Sequence, residues 1–186
     1  MEYLLARSVA RLTGLRDFCN QIETPQVYTG GCDALASNLD SLWDVGAFMM
    51  TDVNQQELEK LFEVARKAAE NSYSPYSEFR VGAALRLTNG EIVTGTNVES
   101  VSYGLTICAE RAAVARAVTE FGPKIRIAAT AVTNLNGKAS PPCGACRQVL
   151  AEFMAPDAPV VFPAADGTRT MTLSELLPLG TEMKLK

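Results

Sequence analysis

Residues 125–133, IRIAATAVT, decide the fold of this 186-residue chain. Nearly every position is apolar or β-branched, which is typical of a strand that is buried on both of its faces. Such a strand belongs inside a sheet whose two sides are covered by helices. The stretch therefore predicts a layered α/β protein with this strand in the interior of the sheet.

The segments on either side of this strand alternate between helical and extended patterns. The first predicted element is a helix with a capping box at Asp52 and Gln55, and strands at 80–88 and 91–96 follow it, joined by Asn89-Gly90. A helix at 108–120 precedes the strand at 125–133, and a helix at 144–153 and a strand at 160–162 follow that strand. The chain then forms a turn at 166–167, a further strand, and a final helix with a capping box at Thr172 and Glu175. The order α-β-β-α-β-α-β-β-α predicts a mixed sheet between helices.

Composition and charge exclude several classes of protein. The net charge of -4 and the lack of basic clusters argue against a nucleic-acid partner. No run approaches the roughly 18 apolar residues that a membrane helix needs, and the start MEYLLARSVA lacks the pattern of a secretory signal. We therefore expect a cytoplasmic protein whose five cysteines serve as metal ligands or free thiols rather than in disulfides.

The chain contains no histidine. A Ser-His or Cys-His nucleophilic mechanism within one chain is therefore excluded. Any zinc site must be built from thiolates and carboxylates, and any general base must be Glu, Asp, Lys, Tyr or Cys.

Two short cysteine motifs stand at predicted helix starts, Cys108-Ala109-Glu110 and Cys143-Gly144-Ala145-Cys146. Free backbone N–H groups at a helix N-terminus stabilise a thiolate, which lowers its pKa and makes it a better metal ligand. Cys143 and Cys146 are three positions apart, so one helical turn directs both towards one point. With Cys108 as a third ligand, the motifs predict a zinc site whose fourth position is open to water, as in catalytic sites.

A closed structural zinc site is the alternative. It would need Cys19 or Cys32 as the fourth ligand, and both lie in the irregular N-terminal segment.

Glu110 follows a predicted zinc ligand by two positions, which places its carboxylate beside the metal rather than on it. Water on zinc is acidified, and a carboxylate within reach can take its proton and pass it on, so we predict that Glu110 is catalytic. Alternatively, Glu110 only stabilises the helix dipole. Arg111 or Arg147 could donate to the thiolates and offset the negative charge of a three-thiolate site, and of the two we predict Arg111 in this role.

The two motifs belong to a longer pattern that resembles the small cytidine deaminases. A C-A-E motif followed by P-C-x-x-C is the signature of zinc nucleobase and nucleoside deaminases, here in a three-cysteine form. The matching blocks are Tyr73-Ser74-Pro75-Tyr76-Ser77, Phe79, Val81-Gly82-Ala83-Ala84, Asn97-Val98-Glu99, Ser102-Tyr103-Gly104-Leu105, Ile107-Cys108-Ala109-Glu110-Arg111, Pro142-Cys143-Gly144-Ala145-Cys146-Arg147-Gln148-Val149-Leu150 and Glu175-Leu176-Leu177-Pro178. Together these blocks cover residues from about 53 to 180.

The resemblance implies a three-layer α/β/α fold with a five-stranded mixed sheet, one Zn²⁺ ion per chain and a homotetramer with its sites near the subunit interfaces. The implied reaction is the hydrolytic deamination of cytidine and 2′-deoxycytidine to uridine and 2′-deoxyuridine plus ammonia, in pyrimidine salvage. The partner would be a small nucleoside, with no nucleic acid and no membrane.

The resemblance also implies a set of substrate-binding residues. Asn97 and Glu99 would grip the ribose hydroxyls, Phe79 would line the base pocket, the backbone of Ala109 would touch the pyrimidine, and Tyr103 would border the sugar. Three of these assignments have a plainer alternative, since Phe79 and Tyr103 could serve in packing and Asn97 could be a turn residue.

The chain departs from the family pattern in three places. Residues 1–49 have no counterpart, so we predict an N-terminal extension of unknown role over 1–49 and a catalytic domain over 50–186. A misassigned start upstream of Met49 or Met50, a fusion and a real appendage all stay open. Ser100 stands where the family often has Asn, and Leu179-Gly180-Thr181 stands where many members have a Phe that reaches a neighbouring site.

Two other functions remain as alternatives. The first is deamination of another amino-substituted base, such as a cytosine-bearing antibiotic or guanine, in which Glu99 would have no diol to bind. The second is a zinc-stabilised binding module without catalysis, which would leave Glu110 without a role.

Overall fold

The computed structural model of the protein describes residues 53–181, so the predicted extension over 1–49 lies outside the described residues. Five strands form one sheet: β1 (Val81–Leu87), β2 (Ile92–Thr96), β3 (Ile127–Asn134), β4 (Pro159–Ala164) and β5 (Gly167–Thr172). Their order across the sheet is β2-β1-β3-β4-β5. Strands β3 and β4 are parallel and the other neighbouring pairs are antiparallel, so the sheet is mixed, as predicted.

The helices follow in the predicted order along the chain. They are α1 (Gln55–Ala69), a 3₁₀ turn (Tyr103–Leu105), α2 (Ala109–Phe121), α3 (Gly144–Ala151) and α4 (Leu173–Leu176). Within residues 53–181, no helix combines the length and the apolar character that crossing a membrane requires.

The sheet is covered on both faces, which confirms the three-layer arrangement. On one face, Ala84, Ala129 and Val161 pack with the apolar side of α1. On the other face, Leu85 and Val132 belong to a core that also contains buried residues of α2 and α3. All eight residues of β3 are buried, as the stretch 125–133 predicted.

The start of α1 differs from the predicted one. The N-cap is Asn54, whose side chain accepts a hydrogen bond from the Glu57 backbone N–H at 3.0 Å. The Glu57 carboxylate accepts in return from the Asn54 N–H at 3.0 Å. The capping box was therefore predicted at the wrong pair, because Asp52 and Asn54 are both suitable caps. The predicted box at Thr172 and Glu175 is confirmed.

Gly95 allows α2 to lie directly on β2. A Cβ atom at this position would stand 2.4 Å from the Ala109 carbonyl oxygen and 2.4 Å from the Ala113 nitrogen. Both of these are backbone atoms, so no side-chain rotation could relieve the overlap. The missing side chain therefore sets the depth at which the first turn of α2, with Cys108 and Glu110, rests on the sheet.

Candidate metal centre

Three cysteine sulfurs converge where α2 and α3 begin. Cys108 is the N-cap residue of α2, Cys143 is the N-cap residue of α3, and Cys146 lies in the first turn of α3. Their Sγ atoms all lie within 4.8 Å of one another, and Cys108 Sγ is 3.9 Å from Cys143 Sγ. Tetrahedral zinc with Zn–S bonds of about 2.3 Å places its sulfurs about 3.8 Å apart. The donor set therefore fits one zinc ion per chain.

The cluster is open on one side. Within residues 53–181, no fourth Cys, Asp or Glu side chain joins this group. Cys146 is buried, Cys108 is half-buried and Cys143 is exposed, so solvent reaches the sulfurs from the Cys143 side. Cys19 and Cys32, which a closed site would require, lie outside the described residues.

Contacts within the cluster shift the pKa values of Cys108 and Cys146 in opposite directions. A hydrogen bond with Cys146, aided by Arg111 and Cys143, lowers the pKa of Cys108 to about 5. The same hydrogen bond and burial raise the pKa of Cys146. Thiolates are the form that binds metal, so a zinc ion would displace any proton held by these sulfurs.

The two candidate arginines have different surroundings. The guanidinium of Arg111 donates to the Thr106 carbonyl at 2.8 Å and lies 3.8 Å from Cys108 Sγ. Its Nε–H is buried and lacks a hydrogen-bond partner within residues 53–181. Arg147 instead donates to two backbone carbonyls, those of Pro142 at 2.7 Å and Leu176 at 2.8 Å. Arg111 is therefore the arginine that lies beside the sulfurs.

Glu110 lies in the first turn of α2 and is only 4% exposed. Burial raises the pKa of its carboxyl above the ordinary value, and the negative charge at Cys108 acts in the same direction. Hydrogen bonds with its own backbone and with Cys146 oppose this shift. A buried carboxyl in contact with the metal-binding sulfurs is in place to exchange protons with a molecule at the open side of the cluster.

A short backbone ladder joins the predicted sugar-binding pair to the metal centre. Val98, which lies between Asn97 and Glu99, exchanges two hydrogen bonds with Ile107, at 2.9 and 3.0 Å. Tyr73 bonds to the other edge of this segment through the Asn97 carbonyl and the Glu99 N–H. Because Ile107 immediately precedes Cys108, the ladder fixes the distance between the pair and the sulfurs.

The amide of Asn97 is largely used within the protein. Its Oδ1 accepts from Val81 N at 2.8 Å and from the Ser72 hydroxyl, and its Nδ2 donates to the Phe79 carbonyl at 2.8 Å. Asn97 is also buried. An amide nitrogen carries two hydrogens, so one N–H of Asn97 makes no hydrogen bond within residues 53–181.

The Glu99 carboxylate is held by the loop that precedes β1. It accepts from the backbone N–H groups of Tyr76 and Ser77, at 3.0 and 3.2 Å, and from the Ser77 hydroxyl. These contacts lower the pKa of Glu99, with the hydroxyl bond as the largest cause. The contact of Ser77 with Glu99 was not predicted from the sequence.

The remaining predicted site residues occupy different surroundings. Phe79 is partly buried, Ala109 is fully buried at the first position of α2, and Tyr103 is exposed on the 3₁₀ turn. A buried Ala109 can offer only its backbone to a ligand, and the exposed ring of Tyr103 makes little contact with its own chain.

A layered α/β fold with an open three-thiolate zinc site and a buried carboxylate is the arrangement of a hydrolase that activates water. Residues 55–162 match the family model described as the cytidine and deoxycytidylate deaminase zinc-binding region. This match spans more than half of the chain. The chain therefore belongs to the cytidine and deoxycytidylate deaminase family.

Individual relatives agree with this assignment. Over 121 residues, the chain is 44% identical to a cytidine deaminase of Halalkalibacterium halodurans, an alignment that covers 64% of this chain and 90% of the relative. It is 48% identical over 101 residues to a probable cytidine deaminase of Dictyostelium discoideum, covering 54% of this chain and 68% of the relative. The crystal structure of the cytidine deaminase from Burkholderia pseudomallei superposes with a TM-score of 0.59 at 40% identity, covering 66% of this chain and 98% of that one.

Proposed function

We propose that the chain deaminates cytidine and 2′-deoxycytidine by hydrolysis, releasing ammonia and forming uridine and 2′-deoxyuridine, as a cytoplasmic enzyme of pyrimidine salvage. The observation that carries this proposal is the buried Glu110 carboxyl beside three convergent cysteine sulfurs, of which the one on Cys143 belongs to an exposed residue. The names of the relatives support cytidine as the substrate.

Cys108, Cys143 and Cys146 would hold the zinc ion, which when bound supplies a water acidified enough to attack at neutral pH. Glu110 accepts a proton from the attacking water and delivers it to N3 of the pyrimidine as C4 becomes tetrahedral. Glu110 then takes the remaining proton from the new C4 hydroxyl and transfers it to the amino group, so the C4–N bond breaks, ammonia leaves and the C4 oxygen becomes the carbonyl of uridine. One water is consumed and one ammonia is released, so the carboxylate ends in the state in which it began. Arg111 offsets the negative charge of the thiolates.

The proposed substrate-binding residues are those that the family resemblance implies. Glu99 and the remaining N–H of Asn97 would bind the 3′-hydroxyl, which cytidine and 2′-deoxycytidine share. Phe79 and the backbone of Ala109 would contact the base, and Tyr103 would border the sugar. The ionised Glu99 carboxylate, held by three donors, is suited to accept a hydrogen bond from a sugar hydroxyl. A free base has no such hydroxyl for Glu99 to bind.

The function is tested by following the loss of cytidine absorbance with purified protein. We expect turnover of cytidine and 2′-deoxycytidine with similar kcat/KM. For free cytosine kcat/KM should be about 100-fold lower, since two polar contacts to the sugar are lost. Equal activity on cytosine would contradict the roles of Glu99 and Asn97. A folded, zinc-loaded protein that turns over neither nucleoside would support a binding module instead.

The proposal includes a homotetramer. Val101, Tyr103 and Leu105 are 79%, 81% and 70% exposed and lie within one short segment near Cys108. Clustered exposed apolar side chains mark interaction surfaces, so a second copy of the chain would cover them next to the site. Light scattering after size exclusion should give four times the chain mass of 20.0 kDa. Leu105→Glu should lower that mass, and a wild-type protein with the mass of one chain would contradict the assembly.

A further inference from the structure

Ser77 contacts two of the proposed substrate-binding residues with a single hydroxyl. Its Oγ accepts a hydrogen bond from the Phe79 backbone N–H at 3.0 Å and donates to Glu99 Oε1. A carboxylate can only accept, so the one hydroxyl proton belongs to the Glu99 bond. Ser77 Oγ therefore links Phe79, which would line the base, to Glu99, which would bind the sugar.

The second oxygen of Glu99 is bound by backbone. Oε2 accepts from the N–H groups of Tyr76 and Ser77, whereas the hydroxyl of Ser77 is the side-chain donor to Oε1. Two donors on one oxygen anchor the carboxylate, but they leave it free to turn about that anchor. The Ser77 hydroxyl removes this freedom by holding the other oxygen.

The loop that carries Ser77 is itself fixed by the fold. Glu78 has a φ of 57°, which is uncommon for a residue other than glycine and persists only where surrounding contacts enforce it. Its N–H donates to the Ser74 carbonyl at 3.0 Å, and its carbonyl accepts from Asn136 Nδ2 at 3.0 Å. Asn136 Oδ1 also accepts from Arg80 N at 3.0 Å. Ser77 therefore stands at a set position before any ligand arrives.

We propose that Ser77 is a positioning residue that orients the Glu99 carboxylate towards the 3′-hydroxyl of the bound nucleoside. This inference rests on the proposed function, because it needs a sugar at Glu99. The contact lies far from the amino group that leaves. Its loss should weaken the bound substrate and the transition state alike, which raises KM and leaves kcat unchanged.

The test compares variants of Ser77 on cytidine and on 3′-deoxycytidine. Ser77→Ala should raise KM for cytidine about tenfold, the loss expected for one hydrogen bond to a charged group, with kcat changed by less than about twofold. With 3′-deoxycytidine, which lacks the hydroxyl that Glu99 would bind, the same variant should change KM by less than about twofold relative to wild type.

Two further variants separate the hydroxyl from the shape of the side chain. Ser77→Thr and Ser77→Val produce side chains of the same shape, and only the threonine keeps a donor, so Thr should restore the wild-type KM and Val should not. Ser174→Ala is the control for removal of a serine hydroxyl elsewhere, since Ser174 lies on α4 and its hydroxyl pairs with Thr172 at 3.1 Å, and it should leave KM unchanged.

The inference fails if Ser77→Ala and Ser77→Val leave KM for cytidine at the wild-type value, or if they raise KM equally for 3′-deoxycytidine. Wild-type protein that does not deaminate cytidine is a separate result, which would remove the proposed function and the role of Ser77 together. Active wild type with indifferent Ser77 variants would remove only the role of Ser77.

Discussion

Replacing Glu110 by glutamine should lower kcat for cytidine by about 10³- to 10⁴-fold, the upper part of the range for general acid–base catalysis. We place this loss high in the range because one carboxyl serves each proton transfer of the proposed reaction. The amide has nearly the same shape and cannot accept a proton from water. Absorbance assays would give kcat, and metal analysis of the same sample should still find about one zinc per chain.

Glu120→Gln is the matched control for this prediction. Glu120 lies on the same helix, is exposed, and pairs with Arg116 at 2.7 Å on the surface. Its replacement should leave kcat within about twofold of wild type, since exposed ion pairs contribute little. A Glu110→Gln variant that retains kcat would eliminate the proton-transfer role, and one that loses its zinc would make Glu110 part of the metal site.

Cys143→Ala should abolish zinc binding and reduce activity by more than about 10³-fold, because two thiolates hold zinc too weakly and nothing then acidifies the water. Cys143 is exposed, so its truncation leaves no cavity in the core. The thermal midpoint should also fall, since a metal that binds the folded chain stabilises it by mass action. Metal analysis and a thermal melt with and without added zinc measure both effects.

The double variant Cys19→Ala, Cys32→Ala is the control for Cys143→Ala. If the site is open, this variant keeps about one zinc per chain and full activity. Loss of zinc from the double variant would instead indicate a closed four-cysteine site. In that case the fourth position would not be available to water.

The elements of the fold were predictable because each has a local signal. Asn89-Gly90 marked the hairpin, where Gly90 has a φ of 90°, and the apolar stretch 125–133 marked the fully buried strand. The start of α1 was predicted wrongly because two candidate N-cap residues lie close together in the sequence. Asp52 and Asn54 are both residue types that cap helices, and the helix begins after Asn54, where Glu57 completes the capping box.

The metal ligands were predictable for a similar reason. Cys143 and Cys146 are three positions apart, which is about one helical turn, so their spacing in the sequence already predicts that their side chains lie close together. Arg111 and Arg147 each follow one of the two motifs, and the prediction in favour of Arg111 agrees with its place beside Cys108. The Leu176 carbonyl that binds Arg147 lies 29 positions away along the chain, and such contacts are set by tertiary packing.

The role of Ser77 was not predicted because serine is common in turns. Its partner Glu99 is 22 positions away, beyond β1 and β2, and no periodicity connects the two. Asn97 was predicted to bind a ligand, and its side chain also stabilises the neighbouring loop through bonds to Val81 and Phe79. A variant of Asn97 would therefore change the fold of the loop as well as any contact with a sugar.

Gly95 also limits how this protein could be adapted to other substrates. Backbone atoms of α2 occupy the space where a side chain would stand, so any side chain at Gly95 would force the first turn of α2, with Cys108 and Glu110, to shift on the sheet. Redesign for a larger base would therefore keep Gly95 and change residues in the segments 72–80 and 98–107 instead. Substitutions in those segments leave the close contact between β2 and α2 in place.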